Sequence, residues 1–598
     1  VNSFKKALEI DTNHEPSRRS LVGIYEQSGD WDGVVEQRQR LLPLLDGQAK
    51  FDMYMAIGEA CRDKLQDPYQ AIDAFSGAAR IDPAVLPVTE ALLGLYRETR
   101  QGQKAADVLN QILVLPDVSK DLPRTAKLYM SLGEILRDEV KDEESAAAAF
   151  EKALDAQPLL VQAFTAVEAM LTQGKKWQAL EQAYRRMIQR LPKGQETSQA
   201  RLALWKTLGE LYRRVLRDPE GARTAYAVVV KADPEDAAAL EIYAEMAAAT
   251  PGQEAEAIGA FRQLLKVGSA QPTKAMSTLV GLHVARKEYD QAFSAAQVLM
   301  FLVGGASAEE QQVVGKLRRY AREAASRSLN DALWRERLLH DKVRGPLADI
   351  MSILATQTSG LFVQSVKDLG LNPKRDEIDI EGSMLFFVNM FKYVSRTIGA
   401  SGLRLFKDEA NAARLQFVLT DPPGLVAGEE MFRERPKKEL WFAIGKAMAF
   451  HRPELRMARL MPHDQLDMIF QAACSVGTSR FVVTADPHIV EKYRRQLEKT
   501  LPEPIRMNAL KRLARQYCAI QHPGDVRAYM DGAELTSNRV GALLAGDLDV
   551  VRKAVLAEKA QVSKLRDETR LRDLAFFCVS EEYALLREQL GLSVVVAG

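Results

Sequence analysis

Cysteine is scarce in this chain of 598 residues: Cys61, Cys474, Cys518 and Cys578 stand far apart, with no CxxC pair. That spacing excludes a disulfide framework and a zinc knuckle, and it fits a reducing compartment. Histidine is almost as sparse. The seven histidines, at 14, 283, 340, 451, 463, 488 and 522, make no spaced ligand pair. No run reaches the roughly 18 apolar residues that a membrane-spanning helix requires, so no span is expected. Charge of one sign is missing too. Lys+Arg at 81 against Asp+Glu at 80 leaves a net +1, which offers no overall field for nucleic acid or an anionic membrane. Neither GxSxG, GxxxxGK[ST] nor GxGxxG after a strand occurs, which removes three common enzyme signatures. No cofactor is expected. What is present is ordinary globular usage, 47% hydrophobic and 27% charged, long enough for several domains or a repeat array plus a domain. Ala-, Leu- and Arg-rich usage suggests a bacterial source, and a cytoplasmic setting is the expectation.

Internal repetition is the strongest signal. Three segments align: Tyr54–Pro83, Tyr129–Pro158 and Trp205–Pro234. Their glycines stand at 58, 133 and 209, intervals of 75 and 76 residues, and Phe75, Phe150 and Tyr226 repeat at the same intervals. Less regular hairpin patterns, Pro87–Leu115 and Val161–Leu191, lie between them, so the unit is a double repeat of helical hairpins. In each first helix the aromatic, the glycine and their apolar neighbours share one face, as Tyr54, Ile57, Gly58 and Cys61 do at i, i+3, i+4 and i+7. The glycine admits a closely packed partner helix, whose Ala71, Phe75 and Ala78 alternate small with large. A proline then closes the unit, because it cannot continue a helix interior.

These segments resemble the tetratricopeptide repeat, with its large aromatic, Leu-Gly, Tyr, then Ala, Phe, Ala and closing Pro. The resemblance covers about the first half of the chain and is weaker at Leu21–Leu45 and Ala275–Leu302. It implies an α-solenoid whose concave face binds protein or peptide partners. The best units carry one residue more than the consensus near Asp67, Asp142 and Asp218, which is expected to fall in the connecting loop. Val1–Ile10 carries Phe4 and Ala7 at second-helix positions, so an upstream partner helix and an unpaired apolar face are expected there. Arg62, Arg137 and Arg213 recur at one register. They suit either a charged partner or a solvated outer face paired with Asp63 and Asp138.

After Gly304-Gly305 the period fades. Glu309–Leu339 reads as one long charged helix that caps the array, and its Lys316, Arg318, Arg319 and Arg322 face either phosphate or solvent. The expected organisation is an array over residues 1–305, a capping or linker helix over 306–340, and a separate domain over 341–598. In that last part, Val343–Ser359 and Met384–Ile398 read as helices, and Gly402–Phe406, Arg414–Leu419 and Leu425–Ala427 as short strands. Long helices follow at Lys437–Phe450, His463–Val476, Arg506–Tyr517 and Val526–Ala545. The fold class is mainly α: a solenoid followed by an α+β, mostly helical domain.

Two stretches of this domain, Glu439–Glu454 (ELWFAIGKAMAFHRPE) and Glu534–Asp547 (ELTSNRVGALLAGD), resemble HExxH zinc endopeptidases of the CAAX-prenyl-protease and heat-shock-protease type. Pro423–Glu429 resembles the edge strand before that family's active-site helix. Zinc hydrolysis needs two histidines at i and i+4, a glutamate base beside the first, and an acidic third ligand. Aligned on Gly445, those positions hold Lys446, Ala447 and Phe450, while Glu534 stands for the third ligand and Asn538 for a supporting aspartate. A protonated lysine has no lone pair and phenylalanine no ligand atom. The resemblance therefore implies a pseudopeptidase with no catalytic residue and no metal, in which Lys446 and Glu534 form an ion pair where the metal would sit. A shifted site on His451, His463 and Glu534 is the enzymatic alternative, an active zinc peptidase. A structural subunit of a large assembly is the third. The leading expectation is a non-enzymatic interaction scaffold or adaptor.

Overall fold

The computed structural model describes residues 1–83, 85–303, 308–520, 525–558 and 562–596. Gly304-Gly305, the expected boundary between 305 and 306, and His522 lie outside the described residues. The chain divides into two compact units, Val1–Ala232 and Asp233–Gly598.

The first unit is built of antiparallel helical hairpins. Gly47–Ala60 pairs with Pro68–Ile81, Leu122–Ile135 with Glu143–Ala156, and Gln195–Glu210 with Pro219–Ala232. Their repeated glycines are where the helices touch. A Cβ on Gly58 would stand 2.7 Å from the Phe75 ring, on Gly133 2.5 Å from Phe150, and on Gly209 2.8 Å from Tyr226. Only a hydrogen fits, and each aromatic is buried against it. The Leu86–Glu98/Gly102–Leu113 and Val161–Gln173/Trp177–Arg190 hairpins alternate with them.

The extra residue of the three best units lies elsewhere than expected. In the other hairpins the second helix's N-cap residue donates its N–H five residues back, Asp30 to Tyr25 O, Gln101 to Tyr96 O and Lys176 to Leu171 O. In the three long units it donates six back: Asp67 to Cys61 O at 2.9 Å, Asp142 to Leu136 O at 2.9 Å and Asp218 to Tyr212 O at 3.0 Å. The first helix widens into a π-turn at Cys61–Leu65, Leu136–Val140 and Leu211–Leu216. One left-handed residue follows, Gln66, Lys141 or Arg217, with φ of 54°, 65° and 53°. The loop therefore keeps its length and the helix end absorbs the insertion. Asp67 and Asp142 then cap the second helices by accepting N–H groups of their first turns.

The second unit opens with two more hairpins, Ala237–Ala249/Glu254–Val267 and Pro272–Ala285/Tyr289–Val303. The last of these packs on the helices Leu548–Ala557 and Asp567–Cys578. Buried Asp290 on it receives Arg587 of the Glu581–Leu590 helix at 2.9 Å, and also accepts the Val594 N–H at 2.8 Å. Hairpins and C-terminal helices thus share one core here.

The long charged helix expected over Glu309–Leu339 does not form. A helix covers Ala308–Arg318, and helical structure resumes only at Asp331. In between, the Ser326 and Arg327 N–H groups donate to Leu590 O, and Leu329 N–H to Thr397 O. Tertiary backbone hydrogen bonds replace the helical ones, and Trp334 is buried with its indole N–H on Ile398 O at 2.9 Å. Farther on, β1 (Arg404–Asp408), β2 (Leu415–Val418) and β3 (Gly424–Gly428) form a sheet in the order β1-β3-β2. β3, expected at an edge, is the central strand, parallel to β1 and antiparallel to β2, and every residue of it is buried. The short apolar GLVAG run suits that place, since a central strand is covered on both faces.

Candidate functional site

Two helices make the centre of the second unit. Lys437–Met448 and the 20-residue Val526–Ala545 cross where glycines meet. A Cβ on Gly445 would stand 2.4 Å from Leu544, and one on Gly541 2.7 Å from the Phe442 ring. That close approach brings together side chains that sequence separates by about ninety residues. Lys446 Nζ lies 2.9 Å from Glu534 Oε1, and neither side chain reaches solvent. The expected ion pair is present.

It is part of a larger cluster. Glu558 Oε1 stands 2.5 Å from the same ammonium, and Arg570 Nη1 3.9 Å from Glu534 Oε1. Glu534 Oε2 accepts the Val562 N–H at 3.0 Å. Arg570, fully buried, donates to Asp567 at 2.6 Å and to the Val555 and Glu558 carbonyls at 2.9 and 2.7 Å. Two cations face three carboxylates, so the charges nearly compensate, which allows Lys446, Glu534 and Arg570 to be buried while Glu558 and Asp567 stay partly exposed. Ala447 and Phe450 fill the apolar wall beside them. Asn538 is fully buried one turn after Glu534, and its amide has no hydrogen-bond partner among the described residues.

The remaining candidates fall apart spatially. His451 Nδ1–H donates to Met448 O, 2.9 Å away, and the ring meets the edge of Trp334. Burial, reinforced by Arg452 and Arg456, pushes its pKa down to about 4. His463 pairs with Asp464 at 3.0 Å. Among the described residues no group of three His, Cys, Asp or Glu side chains is placed to hold a metal ion, the set His451, His463 and Glu534 included. Arg62 and Arg137 form ion pairs with Asp63 and Asp138 at 2.7 and 2.8 Å and lie over the Phe75 and Phe150 rings; Arg213 pairs with Glu210. Of the cluster at 316–322, Arg318 reaches Asp547 at 3.2 Å, and Arg319 lies over the Tyr320 ring.

Sequence reasoning missed Glu558 and Arg570. Glu558 follows the Leu548–Ala557 helix, a place where a glutamate reads as solvated, and Arg570 sits in an ordinary amphipathic pattern. Only the packing of four helices turns them inward. Beside the cluster lies a cavity of about 850 Å³. Val562, the donor to Glu534, lines it as well, so cavity and buried cluster share a wall.

Residues 126–158 match the family described as "Tetratricopeptide repeat". A comparison with curated proteins found no match. Among solved structures, the chain is similar to MamA at 17% identity, covering 30% of this chain and 96% of that one, with a TM-score of 0.20. It is similar to the TPR2AB domain of yeast Sti1, solved in complex with pHSP90, at 19% identity over 45% of this chain and 99% of that one, TM-score 0.21. For Pseudomonas aeruginosa pilF the values are 15%, 40%, 98% and 0.19. With TM-scores this low, nothing about partners follows from these likenesses. No helix among the described residues is long and apolar enough to cross a membrane.

Proposed function

We propose that the protein is a non-enzymatic interaction scaffold or adaptor of the cytoplasm, in which hairpins over 1–305 offer a binding surface and residues 341–598 form a pseudopeptidase-like docking domain. One observation carries the second half of this reading: the aligned metal position holds a buried ammonium 2.9 Å from the carboxylate that would have been the third ligand. A positive charge there competes with any divalent cation for Glu534.

The first half is supported by the surface of the hairpins. Tyr54, Tyr129 and Trp205 occupy one register of the first helices of alternate hairpins and are only half-buried. Trp205, with Tyr212 and Arg185, lines a cavity of about 370 Å³. Amphipathic aromatics held on a rigid helix are strong anchors for a partner's side chains. Selecting peptides on the full chain tests the reading. Binders are expected to weaken about 10-fold or more when Tyr129 or Trp205 becomes alanine, the range of an interface anchor. Selection that yields nothing, or binders indifferent to both changes, refutes the scaffold. Stoichiometric zinc whose chelation abolishes peptide cleavage refutes the pseudopeptidase.

A further inference from the structure

The 850 Å³ cavity opens among the Pro453–Leu460 helix, the start of the His463–Gly477 helix and the first turns of Val526–Ala545. Its charges are unevenly matched. Three cations line it, Arg459, Arg527 and Lys564, together with two carboxylates, Asp464 and Asp531. Both carboxylates are already engaged, Asp464 by His463 at 3.0 Å and Asp531 by Lys342 at 3.6 Å. Lys564 and Arg527 also act on Asp464, but from beyond ion-pair distance. Glu534 acts on Arg459, and Arg527 on Asp531, in the same way, and among the described residues none of the three cations has a carboxylate within ion-pair distance.

Arg459 is the informative one. Its Nε is shut off from solvent and has no acceptor among the described residues. A guanidinium donor out of water without an acceptor is costly, and a bound oxygen would remove that cost. The His463–Gly477 helix also starts at the cavity without a side-chain cap, so its first N–H groups add to the positive potential. Beyond the charged residues, His463 and Ser563 are the polar part of the lining, and Met461, Met530 and Leu565 stand beside the cations. The size lies within the range of small-molecule clefts, about 300–1,000 Å³.

We propose that this cavity binds an organic anion, with its carboxylate or phosphate head on Arg459, Arg527 and Lys564 at the mouth, and its apolar body against Met461, Met530 and Leu565. The proposal is independent of what the hairpins bind and of whether the unit descends from a peptidase.

Calorimetric titration of the full chain with three probes tests it: N-acetylphenylalanine, the corresponding amide, and phenyl phosphate. Both anions are expected to bind and the amide not to, and the tighter of the two identifies the head group. Arg459→Gln removes a charge-assisted hydrogen bond and is expected to weaken binding about 10-fold or more. Arg527→Gln and Lys564→Gln, both at exposed positions, are expected to cost about 2- to 5-fold each. They decide the matter if the Arg459 variant fails to fold. Amide binding equal to the acid overturns the proposal, as does anion binding indifferent to both rim changes. So does the failure of every probe to bind at about 10 mM, an affinity below any specific site. Inorganic phosphate binding as tightly as phenyl phosphate overturns the apolar half.

Discussion

Replacing Lys446 by methionine removes an ammonium within reach of both Glu534 and Glu558. Glu534 would keep Arg570 at 3.9 Å and the Val562 N–H, and both carboxylates would lose their close contact with the ammonium. Breaking a buried ion pair from one end costs about 3–5 kcal/mol. Glu534→Gln should be milder, about 1–2 kcal/mol, because the amide still accepts from Val562 and Lys446 retains Glu558. In the double variant the stranded charge of each single change is reduced, so the two costs should fall short of adding by about 1 kcal/mol or more. Cysteine labelling reads this locally. Cys474 and Cys578 are buried in the second unit and Cys61 in the first. A loss of 3 kcal/mol should speed labelling of Cys578 about 100-fold, with Cys61 unchanged as the internal control. Labelling of the Lys446→Met variant within about 2-fold of the parent would refute the reasoning. Additivity within about 0.5 kcal/mol, the behaviour of independent sites, would refute it equally.

Glycine substitutions should split by sign. Gly133→Ala forces a methyl to 2.5 Å from the Phe150 ring and should cost about 1–3 kcal/mol. Gly94→Ala, exposed in the Leu86–Glu98 helix with nothing within 4 Å, should stabilise by up to about 1 kcal/mol. Urea unfolding of the two variants, followed by tryptophan fluorescence, checks this, and equal signs would contradict the packing described. His451 adds a pH dependence. Its pKa falls from the usual 6.5 to about 4 on folding, so the unfolded chain binds the extra proton between those values. Stability is therefore complete above pH 6.5 and is lost as pH falls toward 4, by at most about 3 kcal/mol. Subtracting the pH profile of His451→Gln from that of the parent isolates this contribution, and a difference that does not change between pH 7 and 4.5 would exclude it.

Much of the array was legible because its causes are local. The interval between Gly58, Gly133 and Gly209 fixed which helices touch, whereas the capping role of Asp67 and Asp142 emerged only in the structure. Arg62 and Arg137 suited a charged partner or, more readily, an outer face paired with Asp63 and Asp138, and the adjacent aspartates do pair with them. The extra residue was visible, but its place was not. Loop and helix end are both local solutions, and the choice of a π-turn depends on the partner helix holding its register. Lys446 and Glu534 were legible only through alignment on Gly445, whereas Arg459 carried no signal at all.

By itself the sequence determined the hairpins, their period and the glycine–aromatic contacts, since each follows from spacing along one or two helices. Tertiary structure alone decided that 319–330 leaves the helix to bond Leu590 and Thr397, that β3 is central, and that Glu558 and Arg570 turn inward to Lys446 and Glu534. In each of these cases the partner lies far away in the chain. A backbone N–H or a charge chooses between solvent and such a partner only once the helices are packed, and no window of sequence contains both sides of that choice.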